Sequence, residues 1–203
     1  MPRAARNRIL PRVYDPVIEP AERLGLGGLR RATLRGLSGD VLELGVGTGR
    51  SLAAYPASVS SVTGIDPDGE MLARAARRVR DTGASVRLLP AAAESLPFPD
   101  GSFDAVTASL TLCTVEDPKT ALAEARRVLV PGGELRLLEH VRLEREPLGR
   151  LQEALTPGWK RLAGGCHLDR RTLGEVRQAG FEVERVERYL GGLVLVIQAR
   201  RPA

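Results

Sequence analysis

The chain has 203 residues, 43% of them apolar, which suits one buried core and a single domain over residues 1–203. The net charge of +5 comes almost wholly from arginine, but these arginines alternate with acids, as in Glu124 to Arg127 and Glu182 to Arg185. That pattern reads as solvated helix faces, so no nucleic-acid partner is expected. Cys113 and Cys166 are the only cysteines and form no Cys-x-x-Cys pair, so neither a metal site nor a disulfide framework is expected, and with no apolar run of membrane-span length the expected location is cytoplasmic.

In chain order, residues 1–35 set eight arginines against three acids. The stretch from Arg8 to Ile18 mixes basic and apolar residues, which fits either a helical lid over a ligand, spanning 1–36, or a peripheral membrane contact. Pro11 and Pro16 interrupt a long amphipathic helix and favour the lid. From residue 40 short β-type runs alternate with helical patterns: strands at 41–45, 61–65, 85–89, 103–108 and 134–141, with helices between them. Asp68 caps a helix carrying Met71, Leu72, Ala75, Ala76 and Val79 that Gly83 ends, and Asp117-Pro118 opens a second that Pro131-Gly132-Gly133 stops. Helical segments at 147–163 and 171–179 follow, and then strands at 181–188 and 193–199, joined at Gly191-Gly192 as an antiparallel hairpin. The expected fold is α/β: a Rossmann-like, seven-stranded, mostly parallel sheet with an antiparallel C-terminal hairpin and helices on both faces.

Gly45, Gly47 and Gly49 alternate with Val46 and Thr48 where the first strand turns toward a helix. Glycine there admits positive φ and lets a ligand reach the main chain. A dinucleotide fingerprint needs its third glycine at position 50, which is Arg50, and no Gly-Lys-Ser/Thr follows for a phosphate loop. Glu43, just before the loop, repels a pyrophosphate and suits a cationic ligand such as S-adenosylmethionine (SAM); its alternative role is a helix cap. Asp66, before Pro67 at the end of the second strand, suits a ribose diol, a pattern shared by nicotinamide and SAM sites; its alternative is a turn former.

The blocks VLELGVGTG, VTGIDPDGEML, AAAESLPFPDGSFDAV, Leu112-Cys113-Thr114-Val115 and RRVLVPGGELRLLEHV together resemble class I SAM-dependent methyltransferases over roughly positions 10–200. The resemblance implies SAM as cofactor and S-adenosylhomocysteine as product. It implies that the Ala93 amide meets the adenine, that Met71 packs on the ring, and that Ser109 and Leu110 lie beside the methionine part. At Ala92 the family usually has Asp, which leaves one adenine contact open, with Glu94 as a possible substitute. The start near Tyr14 and the GVGTG loop are similar to bacterial phosphatidylethanolamine N-methyltransferases and ubiquinone/menaquinone C-methyltransferases. LCTVED, LLEHV, and the stretches from Leu155 to Trp159 and Gly165 to Leu168 resemble the methyltransferase-like 7 thiol S-methyltransferases, which usually carry an N-terminal anchor that this sequence is expected to lack. The Asn/Asp-Pro-Pro motif of nucleic-acid enzymes is absent where the chain reads Ala108 to Cys113.

The implied function is methyl transfer to a small apolar or lipid-like acceptor: a thiol, amine, phenol or quinone-like carbon. A non-catalytic SAM-binding or partner-binding module is the alternative. Around the acceptor we expect Tyr14, Cys113, Glu139, His140, Trp159 and His167. His140, after the fifth strand, is the candidate base or polar contact, with a structural histidine as its alternative. Cys113 is expected to line the pocket rather than act as nucleophile. Trp159 either walls the pocket or packs its helix, and His167 either closes over the site or caps the next helix. Monomer and homodimer are both compatible with the sequence.

Overall fold

The computed structural model describes residues 10–79 and 85–203. Its seven strands are β1 (Gly39–Leu44), β2 (Val59–Ile65), β3 (Ser85–Leu89), β4 (Phe103–Ser109), β5 (Leu129–His140), β6 (Glu182–Tyr189) and β7 (Val194–Arg200). They form one sheet in the order β3-β2-β1-β4-β5-β7-β6. The pairs from β3 to β5 are parallel, while β7 runs antiparallel to both β5 and β6. The expected architecture is therefore the observed one. The order reverses between β1 and β4, the crevice where open α/β sheets place ligands beyond the strands' C-terminal ends.

Both faces are covered because the strands alternate side chains with a period of two. Val41, Val62 and Ala105 pack on one side with Leu34 of α2 (Gly27–Leu34) and Ala75 of α3 (Gly69–Val79). Leu42, Val106, Leu137 and Ile197 pack on the other with Leu122 and Ala125 of α4 (Pro118–Val128) and Val176 of α6 (Thr172–Gln178). Asp68 caps α3 by accepting from the amides of Glu70 at 2.7 Å and Met71 at 3.3 Å. Asp117 accepts from Lys119 N at 3.0 Å to start α4, with Pro118 at its first turn. Gly83, the expected end of α3, lies outside the described residues.

Three local expectations are corrected. No α-helix follows the glycine loop: only the 3₁₀ turn Leu52–Ala54 does, and the chain leaves it in extended conformation at Tyr55, before Pro56. Pro131-Gly132-Gly133 sits within β5 rather than in a loop before it; a register shift against β4 between Phe103 and Ala105 absorbs the extra residues. In the N-terminal segment, α1 (Leu10–Ala21) continues through Pro16 and Pro20 into a π-turn at Glu22–Leu26 and then α2. Each proline costs one helix hydrogen bond, and the tertiary contacts of Asp15 described below hold the turn in place. The remaining helix is α5 (Glu146–Leu162).

Candidate functional site

The glycine loop leaves β1 with φ of +61°, +54° and +82° at Gly45, Gly47 and Gly49. Two of the three are closed by packing. A Cβ on Gly45 would stand 2.4 Å from Thr111 Cγ2, and one on Gly49 would stand 3.0 Å from Ala75 Cα. A Cβ on Gly47 would meet nothing nearer than the Gly45 carbonyl at 3.8 Å. Gly47 is thus the position where the bare backbone faces space rather than protein. Val46 anchors the loop from below, its amide donating to Ile65 O at 2.8 Å while its side chain packs over Gly64.

Asp66, at the C-terminal end of β2, ties this loop to the neighbouring strand. Its Oδ2 accepts from Gly47 N at 3.0 Å and its Oδ1 from Asp68 N at 2.8 Å. Burial pushes its carboxyl above the usual range, against the pull of those two amides. Each oxygen keeps a lone pair for a further donor. Pro67 follows directly, and Met71 is buried on the first turns of α3.

Glu43 does not cap a helix. Its carboxylate is buried at 2% exposure, accepts from Tyr55 Oη at 3.0 Å and is hydrogen-bonded to Ser51. The same tyrosine hydroxyl lies 2.8 Å from Thr107 Oγ1. Burial raises the Glu43 carboxyl to about 7, although Ser51, the nearby Arg30 charge and Tyr55 all favour the anion. Arg30, itself buried, donates to Ser51 Oγ at 3.1 Å and to Glu22 at 2.7 Å, clasping α2 to the π-turn and to the loop after the glycines.

The N-terminal helix reaches the loop through Asp15 and through Glu19, which accepts from Arg50 Nη1 at 3.0 Å. Asp15 Oδ1 accepts from Thr48 Oγ1 at 2.8 Å and Arg50 Nε at 2.9 Å, and its Oδ2 accepts from Arg78 at 3.0 Å. Burial opposes the charge, but the hydrogen bonds from Thr48, Arg78 and Arg50 prevail and hold this carboxyl below its ordinary value. Tyr14, the preceding residue, has its hydroxyl pushed up by burial and lies within electrostatic reach of Arg30 and Cys113.

Beyond β4 the backbone turns sharply at Leu110, which adopts φ +56° and donates its amide to Leu138 O at 2.7 Å. A non-glycine residue held there is strained and must be over-determined by its surroundings. Glu139, buried in β5, supplies that constraint: it accepts from the amides of Thr111 at 2.8 Å, Leu112 at 2.9 Å and Cys113 at 3.3 Å. Thr111 Oγ1 in turn donates to Leu44 O at 3.1 Å, joining this loop to the glycine loop. Ser109 lies at the end of β4 between the two, and buried Ala93 lies in the segment after β3 beside Ala92. Glu94 accepts from the amides of Glu116 at 2.9 Å and Asp117 at 3.4 Å, so that oxygen is committed to the turn before α4.

Three side chains distant in sequence meet at the ends of β4 and β5. Cys113, His140 and Cys166 offer ligand atoms all within 4.8 Å of one another. His140 Nε2 lies 2.8 Å from Cys166 Sγ, while its Nδ1 is buried without a hydrogen-bond partner. The hydrogen bond with Cys113 does most to lower the Cys166 thiol; burial opposes this, and His140 and Trp159 add to the lowering. The same contact and burial raise Cys113. The backbone locks the cluster: the His167 amide donates to Cys113 O at 2.7 Å, with its Nδ1 3.2 Å from the same oxygen. His167 therefore pins the loop rather than capping a helix. Trp159, on α5, is hydrogen-bonded to Cys166 and 45% exposed.

Residues 42–137 match the family described as Methyltransferase domain. The chain is 37% identical over 164 residues to the thiol S-methyltransferase TMT1B of Rattus norvegicus, covering 76% of this chain and 65% of that protein, just under two thirds of its length. It is 34% identical over 177 residues to the ubiquinone/menaquinone biosynthesis C-methyltransferase UbiE of Vibrio parahaemolyticus, covering 76% of this chain and 68% of that one. This chain belongs to the SAM-dependent methyltransferases. A solved SAM-dependent methyltransferase of Thermotoga maritima, described as a possible histamine N-methyltransferase, superposes on this chain with TM-score 0.67 at 27% identity, covering 96% of this chain and 98% of that one. Family and fold imply SAM as cofactor, and the residues fit it: an open backbone at Gly47 beside the Asp66 carboxylate. Among the described residues no helix is long and apolar enough to cross a membrane.

The sequence carries no sign of Asp15, Arg30 and Tyr55 as organisers of this site; it points to Glu139 near the acceptor but not to its three amide partners, and it does not join Cys166 to Cys113 and His140. Their partners lie 8 to 63 positions away, and no local spacing signals such a pairing.

Proposed function

We propose that this methyltransferase carries the methyl group of SAM to a small apolar acceptor, with a thiol the favoured class. The carrying observation is the wall at the ends of β4 and β5: two cysteines, an imidazole and an indole, with the one buried carboxylate there, Glu139, committed to three backbone amides. A wall of that kind suits a soft, weakly polar nucleophile. The likeness to a thiol S-methyltransferase supports the same reading.

On this reading, Glu43, Gly45, Val46, Gly47, Thr48 and Gly49 hold the methionine half of SAM with Ser109 and Leu110. Asp66 and Pro67 meet the ribose, and Met71, Ala92, Ala93 and Glu94 border the adenine. SAM when bound supplies an electrophilic methyl on a sulfonium. The chain's own contribution is positioning, since holding a nucleophile about 3 to 3.5 Å from that carbon provides most of the rate. Tyr14, Cys113, His140, Trp159 and His167 bound the acceptor space, His140 acting through its contact with Cys166. Of the lid expected over residues 1–36, residues 1–9 lie outside the described residues, and the reading for 10–36 is supported by the clasp of Asp15 on Thr48 and Arg50.

The test is S-adenosylhomocysteine release with a panel of alkyl thiols, phenols, amines and quinols. Turnover with thiols at the highest kcat/KM is expected. Calorimetric SAM binding with no turnover on any acceptor would replace this reading by a SAM-binding module.

A further inference from the structure

We propose that Cys113, His140 and Cys166 form a three-ligand site for a zinc-class divalent cation whose fourth position takes the acceptor as a thiolate. The donor set is two soft sulfurs and an imidazole nitrogen, the ligand chemistry that selects such an ion. The three atoms already lie within 4.8 Å of one another. Ligands of one tetrahedral zinc stand roughly 3.5 Å apart, given bond lengths of about 2.0 Å to nitrogen and 2.3 Å to sulfur. The 2.8 Å contact between His140 Nε2 and Cys166 Sγ therefore lengthens by less than ~1 Å on that geometry.

The scaffold is preorganised independently of the side chains. Cys113 has its amide held by Glu139 at 3.3 Å and its carbonyl held by the His167 amide at 2.7 Å, so the loops bearing the two sulfurs are bolted to each other. Gly164 and Gly165, at φ +62° and +95°, make the turn that brings Cys166 inward. His140 is fixed by pairing with Val194 in the β5–β7 ladder. Its Nδ1 lacks the protein partner that metal-bound histidines usually have, so the ion is expected to exchange with chelators more readily than in a four-ligand structural site.

Three protein ligands leave one position open, as in catalytic zinc sites. This part alone rests on the methyl-transfer reading above. An acceptor R–SH binds there and releases its proton to solvent. The thiolate sulfur then forms a bond to the methyl carbon of SAM as the carbon–sulfonium bond breaks, and that electron pair leaves on neutral S-adenosylhomocysteine. The thioether product, a poor zinc ligand, departs. One proton is released per turnover and nothing is oxidised.

The experiment uses the full chain, reduced and equilibrated with Zn²⁺, passed through gel filtration and assayed for metal. About one ion per chain is expected, falling at least about tenfold in Cys113→Ser, Cys166→Ser and His140→Asn. Should a variant fail to fold, the wild type still reports: bound Zn²⁺ should slow alkylation of both cysteines, and Co²⁺ should give a thiolate charge-transfer band with intense tetrahedral d–d bands. Adding an alkanethiol should shift those bands. SAM titration of the same sample separates the two readings. A chain that binds SAM yet retains no metal, or retains it equally in the double cysteine variant, overturns the metal site and leaves the family reading intact. Metal retained with a cobalt spectrum indifferent to thiols overturns the acceptor assignment.

Discussion

At the scale of single residues, the site depends on carboxylates with different duties. Asp66 is bonded to Gly47 and Asp68 and retains capacity for a ligand hydroxyl. Replacing it by Ala removes charged hydrogen bonding worth about 1.5 to 3 kcal/mol, so SAM affinity should fall roughly ten- to hundredfold, measured by calorimetry; unchanged affinity would remove Asp66 from the site. Glycines 45 and 47 make a sharper pair. Gly47→Ala meets no neighbour and adds only the strain of its φ, about 1 kcal/mol, yet it should weaken SAM binding because its methyl enters the open space. Gly45→Ala collides with Thr111 and should destabilise the fold itself, by about 1–3 kcal/mol in urea unfolding. If the two variants lose stability equally, Gly47 does not face a ligand.

At the scale of elements, α1 is attached to the glycine loop mainly through Asp15, which gathers Thr48, Arg50 and Arg78 around one carboxylate. These contacts are partly exposed, so their individual contributions are modest, but they converge where a lid must hold. Asp15→Ala should leave the sheet intact while speeding amide exchange across residues 10–34 and SAM dissociation by about tenfold. Equal exchange in the two proteins would show that other contacts seat α1. The same element shows where local rules were overruled: Pro16 predicted a break, and the helix passes through it because tertiary contacts outweigh the lost hydrogen bond. The glycine loop, the capped helices α3 and α4 and the C-terminal hairpin were legible because capping, periodicity and turn chemistry act within a few residues.

At the scale of the whole molecule, stability should depend on pH through two buried carboxyls, Glu139, which burial also raises to about 7, and Glu43, which faces Tyr55, Ser51, Thr107 and Arg30. The folded value of Glu43, about 7, lies above the ordinary 4.5. The stability it contributes is therefore complete below pH ~4.5 and is lost as pH rises to about 7, on the order of 3 kcal/mol. Asp15 and Glu124, held low by their partners, act oppositely, contributing above the carboxylate range and losing it in acid. Glu43→Gln should make the wild-type decline between about pH 4.5 and 7 shallower in denaturant titrations, with Glu139 supplying the remainder; identical slopes would mean the Glu43 carboxylate is not desolvated as described.

The seven strands and their class, the bend of glycines, the carboxylate at the end of β2 and the family are all written in residues near one another along the chain. What Glu43 and Glu139 bind, which side chains fasten α1, and the meeting of Cys113, His140 and Cys166 follow from the packed fold alone. Spacings of 27 and 26 residues carry no pairing signal of their own. The parallel order of β4 and β5, and a loop pinned by His167, turn those separations into one cluster.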